Sequence, residues 1–225
     1  MFLIRPFPVG DSPRQRKKNW ITKSMAPAFG TVLLFLFSSP LRAIEMTEAE
    51  YLLLPEFCRA QGNVSKYFEK YLIAERKRQL ESSFGSNYQH FHHYCWALVA
   101  ISRAYSTSAD YNQRRAHALG AVHDMGYVLE RATANFVLLP EIYTKLGEAY
   151  LLARDDVNAE KSFRKAWELK SDYWPPYVWW AQRLMQLGKT REALAVAESG
   201  RKNAPGVKAL ENLIAEIRSG KTPKK

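Results

Sequence analysis

The segment YTKLGEAY at residues 143–150 has a counterpart in YVWWAQRL at residues 177–184, and the spacing of the two decides the fold. Tyr143 and Tyr177 lie 34 positions apart, and so do Ala159 and Ala193. Two helices and a turn fit in that length, and small residues at fixed positions let the two helices approach closely. The spacing therefore predicts two consecutive helical hairpins of equal length.

This pattern resembles the tetratricopeptide repeat (TPR), a helix–turn–helix unit of 34 residues. The matching residues are Tyr143, Leu146, Gly147, Tyr150, Ala159, Phe163 and Ala166 in the first unit, and Tyr177, Trp180, Ala181, Leu184, Ala193, Ala197 and Pro205 in the second. Three positions depart from the family pattern: Ser171 replaces a proline, Trp180 a leucine and Ala197 a large aromatic residue. We expect Trp180 to fill the volume that Ala197 leaves.

The resemblance implies an all-α fold, a short right-handed α-solenoid of TPR-like hairpins. Residues 140–220 would hold the two units and a capping helix at 207–219, and residues 221–225 a basic tail. The segments LPEFCRAQ (54–61), HHYCWAL (92–98) and LLPEIY (138–143) are also similar to a group of uncharacterised exported bacterial repeat proteins, a resemblance that implies no function.

Helical periodicity also marks residues 44–139, with predicted helices at 64–82, 87–105 and 110–134. The helix at 87–105 is apolar nearly all round, which is typical of a central, buried helix. The last two helices are candidates for a degenerate third unit, because a solenoid needs about three units to bury a continuous core.

Residues 1–43 have the features of a secretory signal peptide. They hold seven basic residues and one acidic residue, and an apolar run at 29–37 precedes Ala43. That run is shorter than the roughly 20 residues that span a bilayer. We predict cleavage after Ala43 and an exported protein, periplasmic or secreted, without stable membrane insertion after cleavage. The alternative is an anchor formed by an uncleaved N-terminal segment.

The two cysteines of the chain, Cys58 and Cys95, both follow this segment. In an oxidising compartment they can pair, and closing the loop stabilises the fold by roughly 4 kcal/mol in the chain-entropy model. The alternative is a pair of buried thiols. Neither cysteine belongs to a C-x-x-C motif, so redox motifs, zinc ribbons and c-type haem attachment lack their spacing.

The resemblance to TPR proteins also implies a concave groove lined by the first helix of each unit. Transferred by position, the partner-binding residues are Glu141, Thr144, Lys145, Glu148, Leu151, Val178, Trp179, Gln182 and Met185. Trp179 beside Met185 and Val178 is a candidate anchor for a peptide or helix. Related proteins bind a chaperone's C-terminal carboxylate with a Lys and an Asn; Thr144 and Glu148 stand at those positions here, which disfavours that function.

Other classes of function have weaker signals. A metal- or haem-handling protein that uses His90, His93 and Cys95 is the alternative, although no ligand motif contains them. The sequence has no nucleophile elbow, P-loop or glycine-rich dinucleotide turn, so we expect no enzyme activity and no cofactor. Of its acidic pairs, Asp155/Asp156 lies at a repeat turn, with Asp156 the expected helix N-cap.

The charge balance also argues against nucleic acid. The chain carries 33 basic and 22 acidic residues, but the excess is concentrated in the predicted signal peptide and no groove-reading motif occurs. The leading hypothesis is a non-enzymatic exported adaptor or assembly factor that binds a protein segment. A structural module without a groove ligand is a further alternative.

Overall fold

The computed structural model describes residues 45–66, 68, 74–106 and 108–220, so the predicted signal peptide and basic tail lie outside the described residues. All regular secondary structure in those ranges is helical. The α-helices are α1 Glu48–Leu53, α2 Glu56–Arg59, α3 Gly62–Ser65, α4 Ala74–Phe84, α5 His92–Tyr105, α6 Tyr111–Arg131, α7 Leu139–Leu152, α8 Asp156–Leu169, α9 Pro175–Gln186, α10 Thr190–Asn203 and α11 Lys208–Arg218. None of them is long and apolar enough to cross a membrane.

Side chains that accept free backbone N–H groups fix the starts of several helices, among them α1, α6 and α8. Thr47 and Glu50 form a reciprocal capping box at α1, and Asp110 and Gln113 form another at α6. At α8 the cap is Asp155, whose Oδ1 accepts the N–H of Asn158 at 3.0 Å. The expectation that Asp156 is this cap is therefore wrong.

The longer helices pack as hairpins joined by short connections. Helix α5 packs on α6, α7 on α8, and α9 on α10. Successive hairpins also touch, because α7 contacts both α5 and α9, and α8 contacts α9. Helix α11 packs on α9 and α10 and buries Leu210, Leu213, Ile214 and Ile217. The predicted hairpins and C-terminal helix are thus present, with a further hairpin before them.

The α7–α8 hairpin depends on the absence of a side chain at Gly147. A Cβ built there would lie 2.6 Å from Cε1 of Phe163, a distance that real Cβ contacts do not show. Phe163 is fully buried against this glycine, and its ring lies 6.2 Å from that of Trp180 in the next hairpin. Phe163 therefore packs both within its hairpin and toward its neighbour.

The α9–α10 hairpin uses a different glycine, which the repeat pattern does not reveal. A Cβ on Gly200 would lie 2.8 Å from Cβ of Tyr177 and 3.0 Å from Cδ2 of Leu210. Tyr177 is buried and stacks on Trp167 of α8, with ring centroids 4.8 Å apart. In the first hairpin the glycine is on the first helix, whereas in the second it is on the second helix.

A polar contact also joins the two hairpins. Asp156 at the start of α8 accepts two hydrogen bonds from Arg183 of α9, from Nε at 2.7 Å and from Nη2 at 2.8 Å. Both side chains are about one-third exposed or less, and the ion pair raises the pKa of the Arg183 guanidinium. Asp156, which was predicted as a helix cap, therefore connects α8 to α9 of the next hairpin.

The helix predicted at 87–105 begins later than expected. Residues 85–87 form a 3-10 turn, and α5 starts at His92. Asn87 is buried, and its side-chain amide donates to Phe84 O and to Thr133 Oγ1 while its Oδ1 accepts Thr133 N–H. Because these bonds compete with a helical conformation, the turn persists before α5.

The first helices are attached to α5 by one covalent bond and by polar contacts. Cys58 of α2 and Cys95 of α5 form a disulfide, which confirms the predicted pair. Glu50 of α1 accepts both Nε and Nη2 of Arg103, the latter at 2.8 Å, and Arg103 also donates to the carbonyl of Glu45. Helix α1 is therefore held against α5 through Glu50 itself, through Glu45 before it and through Cys58 after it.

Candidate functional site

The nine predicted groove residues lie on two helices that contact each other, α7 and α9. Six of them are half-buried: Glu141, Lys145, Leu151, Val178, Trp179 and Gln182. Thr144, Glu148 and Met185 are buried, with exposed fractions of 2%, 3% and 7%. The six half-buried residues are therefore the part of the predicted groove that a partner can reach.

The three buried groove residues have partners within the chain. The hydroxyl of Thr144 donates to Pro140 O at 2.8 Å, and Met185 belongs to the apolar core around Trp180. Glu148 accepts Lys145 Nζ at 2.7 Å and a hydrogen bond from the Tyr105 hydroxyl. Burial first, and then Glu148, raises the pKa of Tyr105, so this tyrosine stays a donor.

Glu141 is the half-buried carboxylate of the predicted groove. Its Oε1 accepts the hydroxyl of Tyr94 at 2.7 Å. Burial first, and then the Glu141 carboxylate, raises the pKa of Tyr94 and raises that of Tyr173 to about 12. No cationic side chain in the described ranges pairs with Glu141 within 4.0 Å. Glu141 is thus an ionisable acceptor beside two protonated tyrosines.

A cavity of about 240 Å³ opens between α1, α5 and α7. Two of its lining residues, Glu141 and Lys145, belong to the predicted groove. The others were not predicted as site residues: Glu50, Leu53, Leu54, Pro55, Leu98, Val99 and Ser102. Its wall is mainly aliphatic, and its polar groups come from all three helices. Of the unpredicted lining residues, Leu98 is the one that the sequence comes closest to indicating, because it lies on a helix that is apolar nearly all round.

Helix α1 forms one side of this cavity. Leu53 lines it and is 78% exposed, and the neighbouring Leu52 is 45% exposed. The Glu50–Arg103 ion pair fixes α1 against α5, so the exposed leucines are held in place. The chain's own N-terminal segment therefore shapes the groove beside α7.

Trp179, the predicted anchor, lies on α9 away from this cavity. It is half-buried and packs at the edge of the core formed by Phe163, Trp180, Leu184 and residues of α11. Part of its indole is thus accessible, and part packs against this core.

The histidines of the alternative metal hypothesis have other partners. Cys95 is in the disulfide, so it has no thiolate to offer a metal. His93 Nδ1 lies 2.9 Å from Asp124 Oδ1, and His90 Nδ1 lies 3.2 Å from the Tyr127 hydroxyl. Within the part of the chain that the structure describes, no three His, Cys, Asp or Glu side chains converge as metal ligands do.

A second cavity, of about 420 Å³, lies between α8, Tyr177 of α9, and α10, and none of its lining residues belongs to the predicted groove. Trp167, stacked on Tyr177, forms one wall, and Arg164, Ser199 and Asn203 lie on its rim. Asn203 donates to the Tyr177 hydroxyl at 3.0 Å. The three rim residues are exposed, and Arg164 is already paired with Glu160 at 2.6 Å.

No family model, curated protein or solved structure matches this chain.

Proposed function

We propose that this protein is a non-enzymatic, exported, TPR-like adaptor or assembly factor that holds a segment of another protein against α5, α7 and α9. The 34-residue spacing of Tyr143 and Tyr177 supports TPR-like units, as does the helical hairpin at each of them. Contacts between α5 and α7 and between α7 and α9 support a stack in which first helices are neighbours. Such a stack offers one continuous recognition surface.

The disulfide supports the exported location. Disulfides persist in oxidising compartments and are rare in the cytosol of most organisms. Cys58 and Cys95 are fully buried and bridged, and they join segments that are 37 positions apart. The bridge agrees with the signal-like composition of residues 1–43.

The observation that carries the binding proposal is the cavity between α1, α5 and α7. It combines an aliphatic wall with a few polar groups, as ligand-binding pockets in proteins generally do. Glu141 and Lys145, which line it, were predicted as groove residues from the repeat pattern alone. The surface predicted from sequence and this cavity therefore overlap at these two residues of α7, which supports the proposal.

Photocross-linking in cells tests this proposal. A photoreactive residue at Ser102, which lines the cavity, or at Trp179 should capture the same partner. A photoreactive residue at Lys165, exposed on α8, is the matched control and should not capture it. Capture of the same proteins from all three positions, or of none from Ser102 and Trp179, would contradict a partner held on this surface.

A further inference from the structure

The charges at the α1–α5–α7 cavity do not balance. Glu50 is neutralised by Arg103, and Lys145 is neutralised by Glu148, with N–O distances of 2.8 Å and 2.7 Å. Glu141 is the remaining charged side chain of the lining, and it lacks a cationic partner among the described residues. One negative charge at the cavity is therefore uncompensated.

A hydrogen bond fixes the position of the Glu141 carboxylate. Tyr94 is fully buried and donates its hydroxyl to Oε1 at 2.7 Å, which fixes the carboxylate beside the cavity. One hydrogen bond leaves further acceptor sites on a carboxylate, which has about four lone-pair positions. The fixed carboxylate can thus accept hydrogen bonds from a ligand without a change of rotamer.

The rest of the wall fits an aliphatic chain. Leu53 and Leu98 are accessible, and Leu54 and Val99 close the cavity behind them. Lysine and arginine side chains bury their methylene stems on apolar surfaces while the charged head stays at a polar group. An aliphatic wall that ends at an unpaired carboxylate is complementary to such a side chain.

We propose that this cavity binds the side chain of a lysine or arginine in the partner segment, with the stem along Leu53 and Leu98 and the charged head at Glu141. The inference rests on the proposed function, since it names the residue type that anchors the bound segment. It differs from the predicted anchor, because Trp179 lies on α9 and outside the cavity lining.

Selection from a display library of random 12-residue peptides on the immobilised protein tests the inference. The enriched peptides are expected to share a Lys or Arg beside aliphatic residues. In a synthetic copy of an enriched peptide, replacing that Lys or Arg by norleucine should weaken binding about tenfold, because it removes one partner of a desolvated charge pair.

The protein variant Glu141→Gln should weaken binding of the same peptide about tenfold while still accepting the Tyr94 hydroxyl. If the two groups interact directly, the norleucine peptide should bind the wild-type protein and Glu141→Gln equally well. Glu168→Gln removes an exposed carboxylate on α8 and is the matched control, with unchanged binding expected. An unchanged melting temperature of Glu141→Gln shows that the fold is intact.

The outcomes separate this inference from the proposed function. Enriched peptides without a basic residue, or losses that add up independently in the two changes, would overturn the lysine or arginine site and leave segment binding supported. If no peptide is enriched, both proposals fail. A tenfold loss for both single changes with no further loss in combination supports the site.

Discussion

The N-terminal region, residues 45–106, and the hairpins α7–α10, residues 139–203, are stabilised in different ways. In the N-terminal region a disulfide and the Glu50–Arg103 ion pair attach short helices to α5. In the hairpins, Gly147 and Gly200 let an aromatic ring of the opposite helix lie against the backbone. Helices α1 to α3 have four to six residues each, so they bury little surface and depend on specific links.

This difference implies that the two regions respond to different perturbations. Reduction and acid should affect the N-terminal region first, because its links are a disulfide and a carboxylate. Added side-chain volume should affect the hairpins first, because their helices are already in contact. The site at Glu141 depends on both, since α1 and α7 each form one of its walls.

Removal of the disulfide should have the largest effect. Replacing both Cys58 and Cys95 by alanine should lower the free energy of unfolding by about 4 kcal/mol, because the bridge restricts the unfolded chain. Urea unfolding of the purified protein measures the loss. Hydrogen exchange should show lost protection in residues 45–66 and retained protection in α7–α10; equal loss in both regions would contradict the comparison.

Added volume at Gly147 should have the next largest effect. Gly147→Ala should destabilise the protein by about 2 kcal/mol, because the new Cβ would overlap the Phe163 ring. Gly126→Ala in α6 meets no atom within 4 Å and should stabilise by up to about 1 kcal/mol through helix propensity. Chemical denaturation of both variants should thus differ by about 3 kcal/mol. Equal effects would show that the hairpin tolerates a side chain at Gly147.

Acid should weaken the attachment of α1. The hydrogen bonds from Arg103 first, and then those from Thr47, lower the pKa of Glu50 from 4.5 to about 2. The folded-state pKa is below the unfolded value, so the stabilisation is fully present above pH 4.5 and is lost as the pH falls toward 2. Because Glu50 is partly solvated, Glu50→Gln should cost about 2 kcal/mol at neutral pH.

The pH dependence of this variant gives the sharper measurement. Between pH 5 and pH 2, Glu50→Gln should lose less stability than the wild-type protein in thermal unfolding, since the titrating group is gone. Glu75→Gln, at an exposed carboxylate of α4, is the control and should follow the wild type. Parallel curves for all three proteins would show that Glu50 does not link stability to pH.

The ion pair between the hairpins should have the smallest effect. A double-mutant cycle of Asp156→Asn and Arg183→Gln should give a coupling energy of about 1 kcal/mol, because the contact is bidentate but partly exposed. The exposed pair Glu160–Arg164 within α8 should give about 0.3 kcal/mol in the same cycle. Equal coupling energies would indicate that Asp156 and Arg183 contribute nothing beyond an ordinary surface pair.

The sequence alone predicts the all-helical fold, the hairpins at α7–α10 and the pairing of Cys58 with Cys95. These features follow from local periodicity, from a repeat visible at fixed spacing and from an even number of cysteines. The hairpin contacts join residues within one repeat, and two cysteines can form only one intramolecular pair.

The remaining features depend on contacts that no local pattern contains. Glu50 and Arg103 are 53 positions apart, so the position of α1 beside α7 and the cavity it encloses are not evident in the sequence. Glu148 is buried because Tyr105 from α5 reaches it. Gly200 escapes the repeat comparison because Ala166 occupies the equivalent position of the first unit.

The two hairpins place the glycine and the aromatic residue on opposite helices. Gly147 of α7 faces Phe163 of α8, whereas Gly200 of α10 faces Tyr177 of α9. The helices of the two hairpins are therefore not interchangeable. Ala181 and Ala197 lie 34 positions after Gly147 and Phe163, and both are fully buried. A chimaera that paired α8 with α9 would set the Phe163 ring against the methyl group of Ala181. Duplicating or permuting these units to lengthen the protein would therefore require redesign of the side chains at each new junction. The side-chain volumes at these contacts thus favour the present pairing of helices.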